Sequence, residues 1–258
     1  MIIILGAQGF LGSAFCRVCN GRGIPHQGID LDNYAQCKGS RCETLINADG
    51  NSKKYLAEAD PVRDFELSVD SVMRSFFDFS FRRYVYISSV AVYTDHANPG
   101  NNSESAPVDV CAQSNYGFHK YCAERLVMKY CGDWIILRVG GLVGPCMSKG
   151  PVFDIMRRLP LRINPSSRFQ FINTEEIAAI TLKMLDDAHC TREFFNLSGR
   201  GTVTLREIQE MTGHVEENSL PVETWNINVD KVHKRFGLPT THITIRDFIS
   251  GQGLQRDK

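Results

Sequence analysis

A phenol and an ammonium four residues apart, in Tyr116-Gly117-Phe118-His119-Lys120, carry the most chemistry in this sequence. The flank Lys120-Tyr121-Cys122-Ala123-Glu124-Arg125-Leu126 reads as helix, which sets Tyr116 and Lys120 at i and i+4 on one face. A phenol of pKa about 10 is a poor acid or base at neutral pH, and a neighbouring ammonium favours its phenolate. Ser89, at the end of the apolar run Tyr84-Val85-Tyr86-Ile87, offers a hydroxyl that can share a hydrogen bond with a reacting oxygen. Taken alone, a Tyr and a Lys at helical spacing are more often an amphipathic surface pair. What changes the weighting is position: the pair follows a strand ending in Ser-Ser, in a chain that opens with a nucleotide-loop pattern.

That opening is a strand over 2–5, the turn Gly6-Ala7-Gln8-Gly9-Phe10-Leu11-Gly12, and a helix from Ser13 to Asn20 with apolar residues at Phe15, Val18 and Cys19. Gly6 permits the tight turn, Gly9 lets backbone approach a pyrophosphate, and Gly12 lets the helix pack on the strand, whose following helix N-terminus attracts the anion. A second strand ends at Asp30, eighteen residues after Gly12. An Asp there can accept both hydroxyls of an adenosine ribose and repels a 2′-phosphate, which favours NAD over NADP. The competing reading has Asp30 only opening the turn with Asp32-Asn33.

The chain then lacks a clear strand between Leu31 and Cys42, so a third βα unit is expected to be reduced. A strand at 45–48 follows, then a mostly helical stretch from about Lys53 to Phe81 with Asp60-Pro61 near a helix start, and a strand at 83–88 that delivers Ser88 and Ser89 at its carboxyl end. Residues 94–110 form a long polar loop bordering the site; helix 111–131 and strand Trp134 to Val139 complete the regular alternation. Beyond Pro145, short elements (helix 151–159, strand 169–172, helix 174–187 capped by Thr174, strand 194–197, helices 204–212 and 230–236) read as a smaller lobe. The expected fold is α/β, a Rossmann doubly wound parallel sheet over 1–145 with an interleaved C-terminal substrate lobe over 146–258, of which 169–197 returns to the main sheet.

Lys+Arg and Asp+Glu both number 29, so no net field recruits nucleic acid. The apolar start is too short for a signal peptide or membrane span, and a cytoplasmic location is expected. Nine cysteines read as reduced thiols. Cys16, Cys19, Cys37 and Cys42 have spacing within range of a zinc site, but Cys16 and Cys19 fall in the first helix, where small apolar residues are wanted for packing; no metal is expected.

Together Gly6-x-x-Gly9-x-x-Gly12, Asp30, Ser88-Ser89-x-x-x-Tyr93, Tyr116-x-x-x-Lys120, Leu137-Arg138 with Gly144-Pro145, Phe171-Ile172-Asn173-x-Glu175-Glu176-Ile177-Ala178 and Phe195-Asn196-Leu197 resemble the extended short-chain dehydrogenase/reductases. Within them the chain is most similar to the NAD-dependent epimerase/dehydratase family typified by UDP-galactose 4-epimerase. The resemblance implies an NAD cofactor held at Gly6, Gly9, Phe10, Leu11, Gly12, Asp30, Asn47, Tyr116 and Lys120. It implies catalysis by Tyr116 as acid/base, Lys120 on the nicotinamide ribose and Ser89 orienting the substrate oxygen, with hydride passing between a secondary alcohol carbon and the nicotinamide. It places substrate contacts at Ser89, Val90, Tyr93, Gly141 and Arg168, and suggests a homodimer paired through helix 111–131, whose Leu126, Val127 and Tyr130 serve equally well as core.

Departures narrow this. Val90-Ala91 stand where the 4,6-dehydratases carry Asp-Glu, which argues against dehydration, and Val90 replaces the Cys of the 3,5-epimerase/4-reductases. Gly141 and Phe169 occupy places where the epimerases hold the nucleotide diphosphate with Asn and Arg, with Arg168 one residue away, and Ser68 stands for the usual Asn. The expected activity is an NAD-dependent oxidoreductase or epimerase on a secondary alcohol or keto carbon of a sugar or nucleotide sugar, with a simple ketone or keto-sugar reductase as alternative. A non-catalytic dinucleotide sensor is the reading from another class; it has no need of the Ser-Tyr-Lys set.

Overall fold

The computed structural model describes residues 1–256. The β-branched run Ile2–Leu5 forms β1, and the glycine turn feeds α1 (Phe10–Gly21), β2 (His26–Ile29), the one-turn α2 (Tyr34–Cys37) and β3 (Arg41–Asn47). The next stretch breaks into α3 (Lys54–Ala59), α4 (Pro61–Phe65), a π-turn over Glu66–Asp70 and α5 (Ser71–Asp78). The break has a local cause: Pro61 sits at the first helical position of α4 and Asp60 caps it, its Oδ1 accepting from Arg63 N at 3.0 Å. Strand β4 (Ser80–Ser89) ends in a 3₁₀ turn over Val90–Val92; α6 (Asn115–Tyr130) and β5 (Trp134–Val139) follow.

These strands and β9 (Glu193–Leu197) form one parallel sheet in the order β2-β1-β3-β4-β5-β9. The order reverses direction at β1, so the carboxyl ends of β1, β3 and β4 open on a crevice. The inner strands β1 and β5 read as near-continuous apolar runs because both faces are covered. One face packs Phe15, Cys19 and Ile177 of the flanking helices against Ile4, Val85 and Leu137; the other packs Ala123 and Val127 against Ile3, Tyr84 and Ile136. The four cysteines divide between those faces, Cys16 and Cys19 on the first and Cys37 and Cys42 on the second, so the sheet separates them. Val127 is core, whereas Tyr130 is 47% exposed and stacks on Phe76 at 5.9 Å.

The C-terminal part differs from the expected arrangement. β6 (Gly141–Val143), α7 (Pro151–Met156), β7 (Arg168–Phe169), β8 (Phe171–Asn173), α8 (Thr174–Asp186), β10 (Val203–Thr204), α9 (Leu205–Thr212), α10 (Asp230–Phe236) and α11 (Thr241–Arg256) complete the chain. The apolar run at 169–172 is two strands: β7 pairs antiparallel with β10, and β8 pairs parallel with β6. Of 169–197, only β9 joins the main sheet. The cap of α8 is Asn173, whose Oδ1 accepts from Glu175 N at 2.9 Å, while Thr174 starts the helix. Helix α11 lies beyond the last helix that the sequence pattern predicts; its Ile245 and Phe248 close a third core with Leu205, Ile208 and Phe171. No helix among the described residues is long and apolar enough to cross a membrane.

Candidate active site

The carboxyl edge of the sheet borders a cavity of about 620 Å³ that runs from the glycine turn to the C-terminal part. Its first end is backbone. Gly6 has φ +71°, and a Cβ there would stand 2.9 Å from Ala48 O; one on Gly12 would stand 2.0 Å from Gly6 O. Glycine at these positions therefore lets β1, the turn after β3 and the start of α1 meet at backbone contact. Gly9 caps α1 with no side-chain bond, so the first N–H groups of a twelve-residue helix face the crevice. Asp30, on the cavity wall, is aimed by two bonds: its Oδ2 accepts from Gln8 N at 2.7 Å and its Oδ1 from Leu31 N at 3.1 Å. A close-packed glycine turn, a helix N-terminus and a carboxylate at the end of β2 fit a dinucleotide, with the turn at the pyrophosphate and Asp30 at the adenosine ribose.

At the middle of the cavity stand Ser89, Tyr116 and Lys120. Ser89 terminates β4; its Oγ accepts from Ala91 N at 3.1 Å, which starts the 3₁₀ turn. Helix α6 is capped by Ser114, whose Oγ accepts from Gly117 N at 3.2 Å. It comes so close to that turn that a Cβ on Gly117 would lie 2.2 Å from Ala91 O. This contact brings the phenol of Tyr116 beside Ser89, which hydrogen-bonds it and favours the phenolate. Burial outweighs that: the Tyr116 phenol is pushed up to about 12, and Asp64 adds to the rise. Lys120 is pushed down to about 8 by the same burial, with Asp49, Asp64 and Glu124 acting in the opposite sense. Its Nζ donates to Ile87 O at 3.1 Å and lies 5.2 Å from the centre of the Tyr86 ring. From spacing alone, Lys120 is expected to acidify the phenol. In this structure desolvation of both groups dominates, and Tyr116 is held in its acid form.

Behind them a buried network fixes the strand ends. Arg138 grips Glu124 through two bonds of 2.9 and 2.7 Å, Ser88 Oγ donates to Glu124 at 2.6 Å, and Arg138 Nη1 donates to the Tyr93 hydroxyl at 2.9 Å. Tyr93 in turn donates to Asn196 Oδ1 at 2.8 Å, so it ties the end of the 3₁₀ turn after β4 to β9 and does not line the cavity. Asn47 is likewise buried and donates to the Tyr84 hydroxyl at 2.6 Å; its Oδ1 accepts from Asp49 N, shaping the turn beneath the crevice. Phe10, Leu11, Val90 and Gly141 do line the cavity. Arg168 is exposed and outside the lining, and its neighbour Phe169 faces in, as the two-residue alternation of a strand requires.

Several lining residues carried no sequence signal. Lys54, at the start of α3, holds its ammonium 3.9 Å over the Trp225 ring, whose other face stacks on His96 at 3.7 Å. Lys149 Nζ donates to Ser52 O at 2.9 Å and to Ser52 Oγ at 2.8 Å, which straps the C-terminal part to the turn after β3. The hydroxyl of Ser198, fully buried in the cavity wall, has no protein partner. Residues 221–229 have almost no regular structure, so no periodicity announces Trp225.

A model of the NAD dependent epimerase/dehydratase family matches residues 63–197, over half of the chain. No curated protein sequence matches it. Among solved structures, a dTDP-4-dehydrorhamnose reductase from Clostridium acetobutylicum superposes with a TM-score of 0.81 at 15% identity, covering 98% of this chain and 99% of that one. Bordetella bronchiseptica WbmG, in complex with NAD and UDP, gives 0.79 at 17% identity over 99% and 93%. A UDP-galactose 4-epimerase gives 0.76 at 19% identity over 97% and 99%. At these identities the likeness is one of fold, an α/β Rossmann-type fold, over 97% to 99% of this chain.

Proposed function

The chain belongs to the NAD dependent epimerase/dehydratase family, and on that premise we propose that it is an NAD-dependent oxidoreductase or epimerase acting on a secondary alcohol or keto carbon of a sugar or nucleotide sugar. The observation that carries this is the presence of Ser89, Tyr116 and Lys120 on the wall of the same cavity that ends at the glycine turn and Asp30. Bound there, NAD supplies the group that accepts and returns hydride. Gly6, Gly9 and the start of α1 bind its pyrophosphate, Asp30 its adenosine ribose and Lys120 its nicotinamide ribose. Ser89 donates to the substrate oxygen and orients it, and Tyr116 moves the proton at that oxygen.

A phenol pushed up to about 12 is an acid at neutral pH, so Tyr116 is set to donate a proton to a carbonyl oxygen as the carbon is reduced. A keto-sugar reductase is the second reading, and an epimerase uses the same step as one of its halves. Val90 and Ala91 offer no acid or base, so elimination of water is not part of the proposal.

The test is Tyr116→Phe, assayed for turnover of UDP- and dTDP-linked hexoses and their 4-keto forms and, separately, for NAD affinity. Turnover is expected to fall by about 10³-fold or more, the scale of a lost acid/base group, with NAD affinity nearly unchanged. Equal loss of both, or retained turnover, refutes the catalytic reading. NAD retained through purification without net consumption would favour the epimerase; stoichiometric consumption would favour the reductase.

A further inference from the structure

Where the cavity meets the C-terminal part, it holds an ammonium that the proposed chemistry leaves unused. Lys54 opens α3, and its Nζ lies 3.9 Å from the centre of the Trp225 ring. Among the described residues it has no carboxylate within ion-pair distance and no hydrogen-bond acceptor. A ring face meets its charge but satisfies none of its three N–H groups as an oxygen would. Trp225 is itself held firmly. His96 stacks on its other face at 3.7 Å, its Nε1 donates to Glu223 Oε2 at 3.0 Å, and the ring packs against the cluster of Ala57, Ala91 and Tyr116. Lys54, Trp225 and Tyr116 line one cavity, so the ring flanks the place where a substrate must sit to reach the phenol. Other cations nearby are engaged or turned away: Lys149 donates twice to Ser52, Lys120 donates to Ile87 O, and Arg168 is outside the lining.

We infer that Lys54 and Trp225 are specificity-determining residues that select a sugar carrying an anionic group, a carboxylate or a phosphate: the sugar ring takes the Trp225 face, and Lys54, displaced from that face, pairs with the anion. This rests on the reading of Tyr116 as the acid that meets the sugar. The anion belongs to the sugar itself, because Trp225 packs beside Tyr116 and the group that reaches Tyr116 is the ring that reacts. An indole offers a broad apolar surface to the C–H side of a pyranose. An ammonium gains more from a carboxylate or phosphate, to which it makes charge-assisted hydrogen bonds, than from the quadrupole of a ring. Lys54 is able to make the move, since the residue is exposed and its four-carbon stem is flexible. Of the carboxylates on the cavity wall, Asp30 and Asp49 stand at the glycine turn. Glu223 is nearer and opposes an anion, but it is exposed and turned to the indole N–H, so solvent screens it.

The experiment is calorimetric titration of the full chain, with NAD present, by two pairs of probes that differ only in the anion: UDP-glucuronate against UDP-glucose for a carboxylate, and glucose 6-phosphate against glucose for a phosphate. In at least one pair the anionic member is expected to bind about tenfold tighter or more, the worth of one charge-assisted hydrogen bond, and the pair that shows the advantage identifies the anion. Lys54→Met is expected to bring that ratio to about one, and Lys54→Arg, which keeps the charge, to retain most of it. Trp225→Leu is expected to weaken both members of the pair alike. Equal affinity within both pairs, or an advantage that Lys54→Met leaves in place, overturns the inference; a Trp225→Leu variant that binds both members as tightly as the parent overturns the role of the ring. Tyr116→Phe, taken through the same titration, separates this from the catalytic reading. If it loses turnover while the parent shows no preference for the anionic member, only the present inference fails. If it keeps turnover, the catalytic reading fails whatever the preference.

Discussion

Replacing Lys120 with Met is expected to make the cofactor-free protein more stable and a poorer binder of NAD. Burial pulls the Lys120 ammonium from its ordinary 10.5 to about 8. At about 1.4 kcal/mol for each tenfold change in proton affinity, holding that charge in the folded state costs ~3 kcal/mol below pH 8. Met keeps the unbranched length and fills the same channel between Tyr86 and the turn after β3. It gives up the 3.1 Å bond to Ile87 O, a loss of about 1 kcal/mol, so the net gain at pH 7 is about 2 kcal/mol. The sign follows from the proton count. The folded pKa lies below the unfolded one, so between about 8 and 10.5 the unfolded chain holds the extra proton and the stability of the unaltered protein rises with pH. The advantage of Met is therefore complete below pH 8 and fades towards 10.5. Urea unfolding of both proteins at several pH values measures the difference directly. NAD affinity at pH 7 should fall about tenfold or more, the worth of a charge-assisted hydrogen bond. A Met variant less stable than the parent at pH 7, or equally stabilised at every pH, refutes the argument that desolvation sets the state of this lysine.

Three further perturbations test the frame around the site. Glu124→Gln leaves Arg138 charged and buried without its partner and should cost about 3–5 kcal/mol of stability in a denaturant melt; a loss under 1 kcal/mol would mean that Ser88 and Tyr93 hold the guanidinium unaided. Gly117→Ala puts a Cβ 2.2 Å from the Ala91 carbonyl and must push α6 off the turn after β4; kcat should drop with a small change in NAD affinity, and unchanged kinetics would show that the Ser89–Tyr116 approach does not depend on this contact. Asp30→Ala should weaken NAD about tenfold and narrow its preference over NADP, since the carboxylate that repels a 2′-phosphate is gone; an unaltered ratio of the two affinities counts against the ribose role.

Short-range patterns were enough for the frame. The run Ile2–Leu5, the glycines at 6, 9 and 12 and the acid at 30 are legible from strand period, turn spacing and the interval between them, although folding adds partners further off, Ala48 against Gly6 and Gln8 N on Asp30. The same holds for Asp60-Pro61 opening a helix and for Tyr116 and Lys120 sharing a helix face. Where local pattern is thin, expectation and structure part. A two-residue strand at 168–169 has too little alternation to say which side chain turns inward, and Phe169 rather than Arg168 does. Trp225, Lys54 and His96 meet from three distant segments, two without a period to mark them.

What the sequence by itself determined is the alternation of strand and helix, the dinucleotide turn, and the identity of the three residues that share the cavity wall. Tertiary structure alone decided their ionisation and their company. Acidity depends on how much water is excluded and on charges brought close by folding, and neither is encoded in spacing along the chain. Hence Tyr116 is an acid near 12 in spite of the lysine one turn away, and Asp64 and His119, 55 residues apart, end as one buried pair behind it.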